Sequence, residues 1–319
     1  MINLFNLNDY TIPMGDFDHH LHGSIVTEFE EEFAAYVGAK YACSLSSATN
    51  AIFLIAQSKR QTYKVPALLP AVVVNAIVNA GCDVKFIDNW SWVGGSYLLH
   101  DYEDFKVIDS AQRVDRNQFK NEASDEDLMI FSFYPTKPVG GIDGGMIVSN
   151  DKEKIDYFRT MVMNGMSYSE NNWDRVPKYV GWKMYMSSAQ AYVALQNLRK
   201  LDDKKSRLAQ VREVYNQQFK LENTSDHLYR INTPERNEVK KYAYDRGITT
   251  GIHYKPLHHT QLYGSMMLSY DLNGSLKLSG SEHEGATTLS LPFHEGLTDS
   301  DIEQVTSTIN YKLHKIEIT

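Results

Sequence analysis

Apolar positions recur along the chain in two rhythms. Phe29, Phe33, Tyr36 and Val37 stand three and four residues apart, on one face of a helix. Thr27 with Glu30 reads as a capping box at its start, and Gly38 as its stop. Short apolar runs at 40–45, 83–88, 105–109, 128–133 and 146–148 read instead as buried strands. Residues 51–57 and 72–80 read as helices, the second closed by Gly81, while Val65-Pro66 opens a loop. A charged helix starts near Asp151, and a loop from about 165 to 181 carries Tyr168, Trp173 and Tyr179. A long helix pair follows, with Leu208, Val211 and Tyr215 on one stripe, and strands and helices alternate again from about 226.

This alternation predicts an α/β fold with a mostly parallel central sheet in a large domain, residues 1–200. A smaller α+β domain, 201–319, follows, with residues 1–24 packing against it. Ligands of such sheets sit at the carboxyl ends of the strands, where Asp109 and Lys137 both fall.

Composition narrows the class. Lys+Arg number 32 against 40 Asp+Glu, a formal charge of −8, which argues against a general nucleic-acid binder but leaves room for a local basic pocket. Cys43 and Cys82 lie in apolar surroundings and read as free thiols of a reducing compartment. No apolar run reaches membrane-spanning length and the first residues lack a signal-peptide pattern, so a cytoplasmic protein with no membrane contact is expected. Asp18-His19-His20-Leu21-His22 lacks the Cys or carboxylate spacing of a metal site, and none is expected.

The candidate chemistry centres on residues 131–146. Lys137 follows a buried run on a turn framed by Pro135 and Pro138, ahead of Gly140, Gly141, Gly144 and Gly145. A lysine held this way is desolvated, and its amine becomes a nucleophile towards a carbonyl. Asp109 at a strand end can hold a positive ring nitrogen. Ser46-Ser47-Ala48-Thr49, a strand-to-helix turn, offers N–H groups and hydroxyls to a phosphate, and Ser132 adds a hydroxyl. Gln112 can reach a phenolic oxygen. Pyridoxal phosphate needs that set of partners. Each piece alone is commonly a cap or a turn residue; their order along the chain, phosphate turn, acid, lysine, gives them weight.

These residues resemble the DegT/DnrJ/EryC1/StrS family of sugar-nucleotide aminotransferases. Ser46-Ser47-Ala48-Thr49 is similar to its phosphate turn, Asp109-Ser110-Ala111-Gln112 to its acidic motif, and Ser132 to Lys137 with Asp143-Gly144-Gly145 to its lysine segment. Residues 26–42, 186–191, 251–258 and 289–294 resemble four further family segments. The resemblance implies fold type I, the aspartate aminotransferase fold, and a homodimer. It implies that Lys137 binds the cofactor as a Schiff base and then moves the proton, and that Asp109 pairs with the pyridine nitrogen. Gln112 would pair with the phenolic oxygen, and Ala48, Thr49 and Ser132 with the phosphate. An amino group would pass from a donor, usually glutamate, to a nucleotide-linked keto-sugar in polysaccharide biosynthesis.

Departures from the family pattern are local. Pro70 stands where an aromatic ring usually covers the cofactor, and Ala48 replaces a glycine. Lys183 replaces an Asn that reaches the partner's phosphate, and Tyr185 an Arg. The region from 88 to 105, with Trp90 and Trp92, is shortened, implying loss of a helix. His253, Tyr254 and His258 are expected on the substrate side. A sugar dehydratase of the same scaffold would carry His in place of Lys137. A non-catalytic relative that binds a sugar nucleotide would not need Lys137, Asp109 and Gln112 together.

Overall fold

The computed structural model describes residues 1–7, 9–166, 175–265 and 278–318. Tyr168 and Trp173 lie outside the described residues. In chain order the elements are α1 (Ser24–Val37), β1 (Tyr41–Leu45), α2 (Ala48–Ser58), β2 (Thr62–Pro66), α3 (Ala71–Asn79), β3 (Asp83–Ile87), β4 (Tyr97–Asp101) and β5 (Lys106–Asp109). There follow α4 (Gln118–Glu122), β6 (Leu128–Ser132), β7 (Gly145–Ser149), α5 (Lys152–Val162), α6 (Ser188–Arg199) and α7 (Leu201–Phe219). The chain ends with β8 (Tyr229–Asn232), α8 (Arg236–Tyr244), α9 (Gln261–Ser265), α10 (Ser279–Thr287), β9 (Thr288–Leu291) and α11 (Asp299–Ile318).

The five-stranded sheet runs β1-β7-β6-β5-β4. Only β5 and β6 pair in parallel; β1 with β7, β7 with β6, and β4 with β5 are antiparallel. The sheet is therefore mixed, and the expectation of a mostly parallel one is corrected. For β4 the reason lies in the shortened region. A parallel crossover needs a dozen or more residues, usually with a helix. Between Ile87 and Lys106 the chain instead turns at 102–105, with Tyr102 N donating to Phe105 O at 2.9 Å, and forms the β4–β5 hairpin. A parallel pair, β2–β3, packs beside β4, where the Tyr63 and Tyr102 hydroxyls share a 2.6 Å hydrogen bond.

Two local expectations change. Val65-Pro66 does not open a loop but ends strand β2, 62–66; Tyr63 and Val65 alternate inward against exposed Thr62 and Lys64, and Pro66 closes the strand. Helix α1 starts at Ser24 after Gly23, so Thr27 is inside it. Glu30 does not box a cap. Its buried carboxylate accepts from Ser44 N and Oγ at 2.7 Å each and pairs with Arg159 at 2.6 Å, joining α1, β1 and α5.

Among the described residues the buried apolar side chains gather in three clusters. One joins α2, α3 and α5 to one side of the strands, and a second joins α1 and α6 to the other. The third draws Leu208, Val211 and Tyr215 of α7 together with α8, β8, β9 and α11. Ile2 belongs to it too, and Ile2 bridges Ile248. Cys43 and Cys82 are buried free thiols. Among the described residues no helix is long and apolar enough to cross a membrane.

Candidate active site

Strands β1, β5 and β6 point the same way, so Leu45, Asp109 and Ser132 end at one edge of the sheet. Beyond β6 the chain folds back on itself: Phe133 N donates to Gly144 O, Gly141 N to Phe133 O and Lys137 N to Tyr134 O, each at 2.9 Å. Glycine is required at 140, since a Cβ there would meet Pro135 O at 2.3 Å. This loop buries the Lys137 side chain, and burial pulls its ammonium down to about 8, against the opposing pull of the Asp109 charge. Asp109 is 4% exposed. Its Oδ1 accepts from Ala111 N at 2.9 Å and its Oδ2 from the Tyr97 hydroxyl at 2.8 Å. Burial raises the Asp109 carboxyl, while Ala111, Tyr97 and Lys137 all act to lower it.

The candidate phosphate turn sits at the same edge. Ser47 caps α2 by accepting from Asn50 N at 3.2 Å, and Ala51 N is taken by Ser47 O. Within the helix's first turn this leaves the N–H groups of Ala48 and Thr49 without an intrahelical partner. Ala48 adopts helical geometry, so replacing glycine there costs no positive φ. Gly145 faces both Leu45 and Ser132 in the strand register, and a Cβ on it would stand 2.4 Å from Ala48 N. Ser132 Oγ accepts from Tyr134 N at 3.3 Å, leaving its proton to give. Tyr185 bridges Leu45, Ser46 N donates to Met184 O, and exposed Lys183 runs alongside. Tyr185 also meets the His22 ring at 4.4 Å.

Gln112 is held at both ends. Its Oε1 accepts from Gly94 N and its Nε2 donates to the Tyr254 hydroxyl, each at 2.7 Å, leaving one amide proton over. Trp92 lies parallel to the Tyr254 ring at 6.3 Å, packs on Tyr97 at 4.6 Å and donates to Leu68 O at 3.2 Å. Pro70 only opens α3, with Leu68 and Leu69 fully buried beside it. His253 Nδ1 lies 2.8 Å from Ser290 Oγ, and burial with the Lys137 charge pulls its imidazole down to about 4. His227, stacked on Phe5 at 5.9 Å, is fully buried and pushed well below the ordinary histidine range by burial and by Lys137.

Lys137, Asp109, Gln112, His253 and Tyr254 thus come together, while Ala48, Thr49, Ser132 and Tyr185 gather near Gly145; Lys183, exposed, bridges Met163 instead. His258 does not join them; its side chain lies against His259 and Glu282. Tyr97, Trp92 and His227 were missed. For Tyr97 a signal existed: buried Tyr97 and Leu99 flank exposed Leu98, ahead of a polar turn and a second strand. A cleft of about 560 Å³ opens beyond Gln112 and Pro138, and its far wall includes the buried Arg230–Glu284 pair at 2.6 Å.

A sequence profile described as the DegT/DnrJ/EryC1/StrS aminotransferase family matches residues 14–90 and 109–310. The chain belongs to that family. As a DegT/DnrJ/EryC1/StrS member it is a transaminase. It is 26% identical over 351 residues to the UDP-4-amino-4,6-dideoxy-N-acetyl-beta-L-altrosamine transaminase of Campylobacter jejuni, covering 92% of this chain and 91% of that one. It shares its fold with the aminotransferase TlmJ of Streptoalloteichus hindustanus, with a TM-score of 0.82, 22% identity and coverage of 99% and 100%. The same holds for the PLP form of a putative sugar aminotransferase, Spr1654, of Streptococcus pneumoniae, at 0.78 and 17% over 98% of each chain. The internal stretch the family profile leaves unmatched, 91–108, carries Trp92, β4 and Tyr97.

Proposed function

We propose that this transaminase uses pyridoxal phosphate to transfer an amino group, from glutamate, to a keto-sugar linked to a nucleotide. The sugar-nucleotide substrate of the Campylobacter relative supports the substrate class. The observation that carries the proposal is that a desolvated amine, Lys137, and a buried carboxylate, Asp109, lie near enough at the strand edge for each to feel the other's charge. The donor set fits the cofactor. A buried carboxylate with two neutral donors takes a cationic pyridine nitrogen as its counter-charge. The first-turn N–H groups of Ala48 and Thr49, with the Ser132 hydroxyl, suit a phosphate, and Gly145 lets the turn approach closely.

When bound, pyridoxal phosphate supplies an electron sink for the carbon that loses its proton. The chain's own residues do the rest. Lys137 is the residue that would hold the cofactor, and its Nζ, neutral in a large fraction near pH 8, would take up and give back the proton. Asp109 would hold the ring nitrogen in its cationic form. The second amide proton of Gln112 would be free for the phenolic oxygen, since its first is given to Tyr254. Trp92, fixed by Leu68 O, brings an indole to the wall where Pro70 offers no ring. His253 and Tyr254 face the substrate, and Lys183 and Tyr185 lie at the phosphate end, in a homodimer that completes each site. Division into a cofactor-binding part up to about residue 200 and a smaller C-terminal part belongs to the same proposal.

The test is a visible spectrum of purified protein with added pyridoxal phosphate, followed by a panel of nucleotide-linked keto-sugars with glutamate, read by mass. A band present in the native chain and lost in Lys137→Ala, with amination of at least one sugar, is the expected result. No band in the native chain refutes the cofactor; a band without amination of any sugar refutes the substrate.

A further inference from the structure

We propose that His258, His259 and Glu282 form a binding site for a divalent transition-metal ion of the zinc class. The two histidines lie on the short turn Leu257–His259 and Glu282 on the first turn of α10. Glu282 Oε1 stands 3.4 Å from His258 Nε2 and 3.5 Å from His259 Nε2, and the three donor atoms lie within 4.8 Å of one another. The His258–Glu282 contact is a hydrogen bond at the long end of the range, beyond the roughly 2.7–2.9 Å of a good charge-assisted one. The two separations match the edge of a coordination tetrahedron: ligands about 2.0–2.1 Å from a zinc ion stand about 3.3–3.4 Å apart. Two imidazole nitrogens and one carboxylate oxygen suit zinc and its neighbours rather than calcium or magnesium. Three protein ligands leave a fourth position for water.

The donors are held from both sides. Asp88, at the end of β3, accepts from Gly280 N at 2.9 Å and from Ser281 N and Oγ at 2.7 Å each, fixing the start of α10. The histidine turn is tied to the end of β2 by Leu257 N donating to Ala67 O at 2.9 Å. Among the described residues Nδ1 of His258 is buried without a hydrogen-bond partner; the ring is set by packing, with Phe86 at 6.3 Å, and presents Nε2 to Glu282. A bound ion would clip α10 to a turn that begins three residues after Tyr254, stiffening one wall of the site without entering its chemistry. The inference is independent of the substrate.

The test uses the full chain loaded with pyridoxal phosphate and stripped of metal by a chelator. It is titrated with Zn²⁺ against a chromophoric indicator, and with Co²⁺ read by its visible bands. One ion per chain at micromolar or tighter affinity, four-coordinate Co²⁺ bands and a raised melting midpoint are expected. Glu282→Gln and His259→Ala, both at exposed side chains, should each weaken binding at least tenfold and remove the melting shift. His20→Ala, in the N-terminal histidine group, should leave both unchanged. Absence of binding at 100 µM metal, equal binding in the two site variants, or loss in His20→Ala overturns the proposal.

Discussion

The Tyr97 hydroxyl donates to Asp109 Oδ2 at 2.8 Å, and the two residues face each other directly across the β4–β5 ladder. The hairpin that replaces a longer crossover therefore delivers a donor to the very carboxylate on which the proposed chemistry depends. A hydrogen bond to a charged group is worth about 1.5–3 kcal/mol. Tyr97→Phe removes it and leaves Asp109 to burial, which raises its carboxyl. Turnover and pyridoxal phosphate affinity should each fall on the order of tenfold to a hundredfold, and the melting midpoint should drop by a few degrees at most. Steady-state kinetics and equilibrium binding of the cofactor check it; a variant with native affinity and turnover removes Tyr97 from the site.

Lys137 gives a pH prediction. Burial holds its ammonium at about 8 instead of the ordinary 10.5. Only the neutral amine attacks an aldehyde. In cofactor-free protein the rate of pyridoxal phosphate attachment should rise with pH, about tenfold per unit below 8, and level off above it. The Asp109 charge favours the ammonium, so Asp109→Asn should move the inflection below 8 while crippling turnover. Stopped-flow absorbance across a pH series measures both.

Lys137→Met removes a buried charge and keeps an unbranched side chain. Desolvating an ammonium opposes folding, so the variant should melt at the native temperature or above it, with no measurable transamination. Calorimetry beside an activity assay separates the two effects.

Gly145→Ala tests the phosphate turn by steric means alone. The added Cβ would stand 2.4 Å from Ala48 N and 2.6 Å from Ser47 C, forcing the start of α2 away from β7. Pyridoxal phosphate affinity should fall more than pyridoxal affinity, because only the former uses the turn. Equal losses for the two ligands would show that the turn does not hold the phosphate.

The Glu30 carboxylate joins three elements. Glu30→Ala breaks the Arg159 pair and strands Ser44 N and Oγ. Since Arg159 is half exposed, the loss should be about 2–4 kcal/mol. Glu30→Gln keeps an acceptor for Ser44 and should lose about half as much. Urea unfolding of both variants gives the comparison.

Elements whose signal is local were readable. Buried runs such as 128–133, the helix stripe of Leu208, Val211 and Tyr215, and the order of Ser47, Asp109 and Lys137 all stand where the pattern puts them. What escaped depends on pairing across distance. The direction of β4 follows from the lack of room for a crossover, and no residue inside 97–101 announces it. Glu30 three residues after Thr27 imitates a cap, but its partners, Ser44 and Arg159, come from β1 and α5. His227 owes its place beside Lys137 to the packing of two distant segments.

The first residues behave as a stitched hem. Ile2 N donates to Gly247 O and Thr249 N to Ile2 O, and Phe5 lies over His227 and His253, the two imidazoles that sense Lys137. A purification tag or fluorescent fusion ahead of Met1 would pull on that seam, and trimming the first five residues would let solvent reach the amine from behind. Handles for capture or labelling belong at the other terminus.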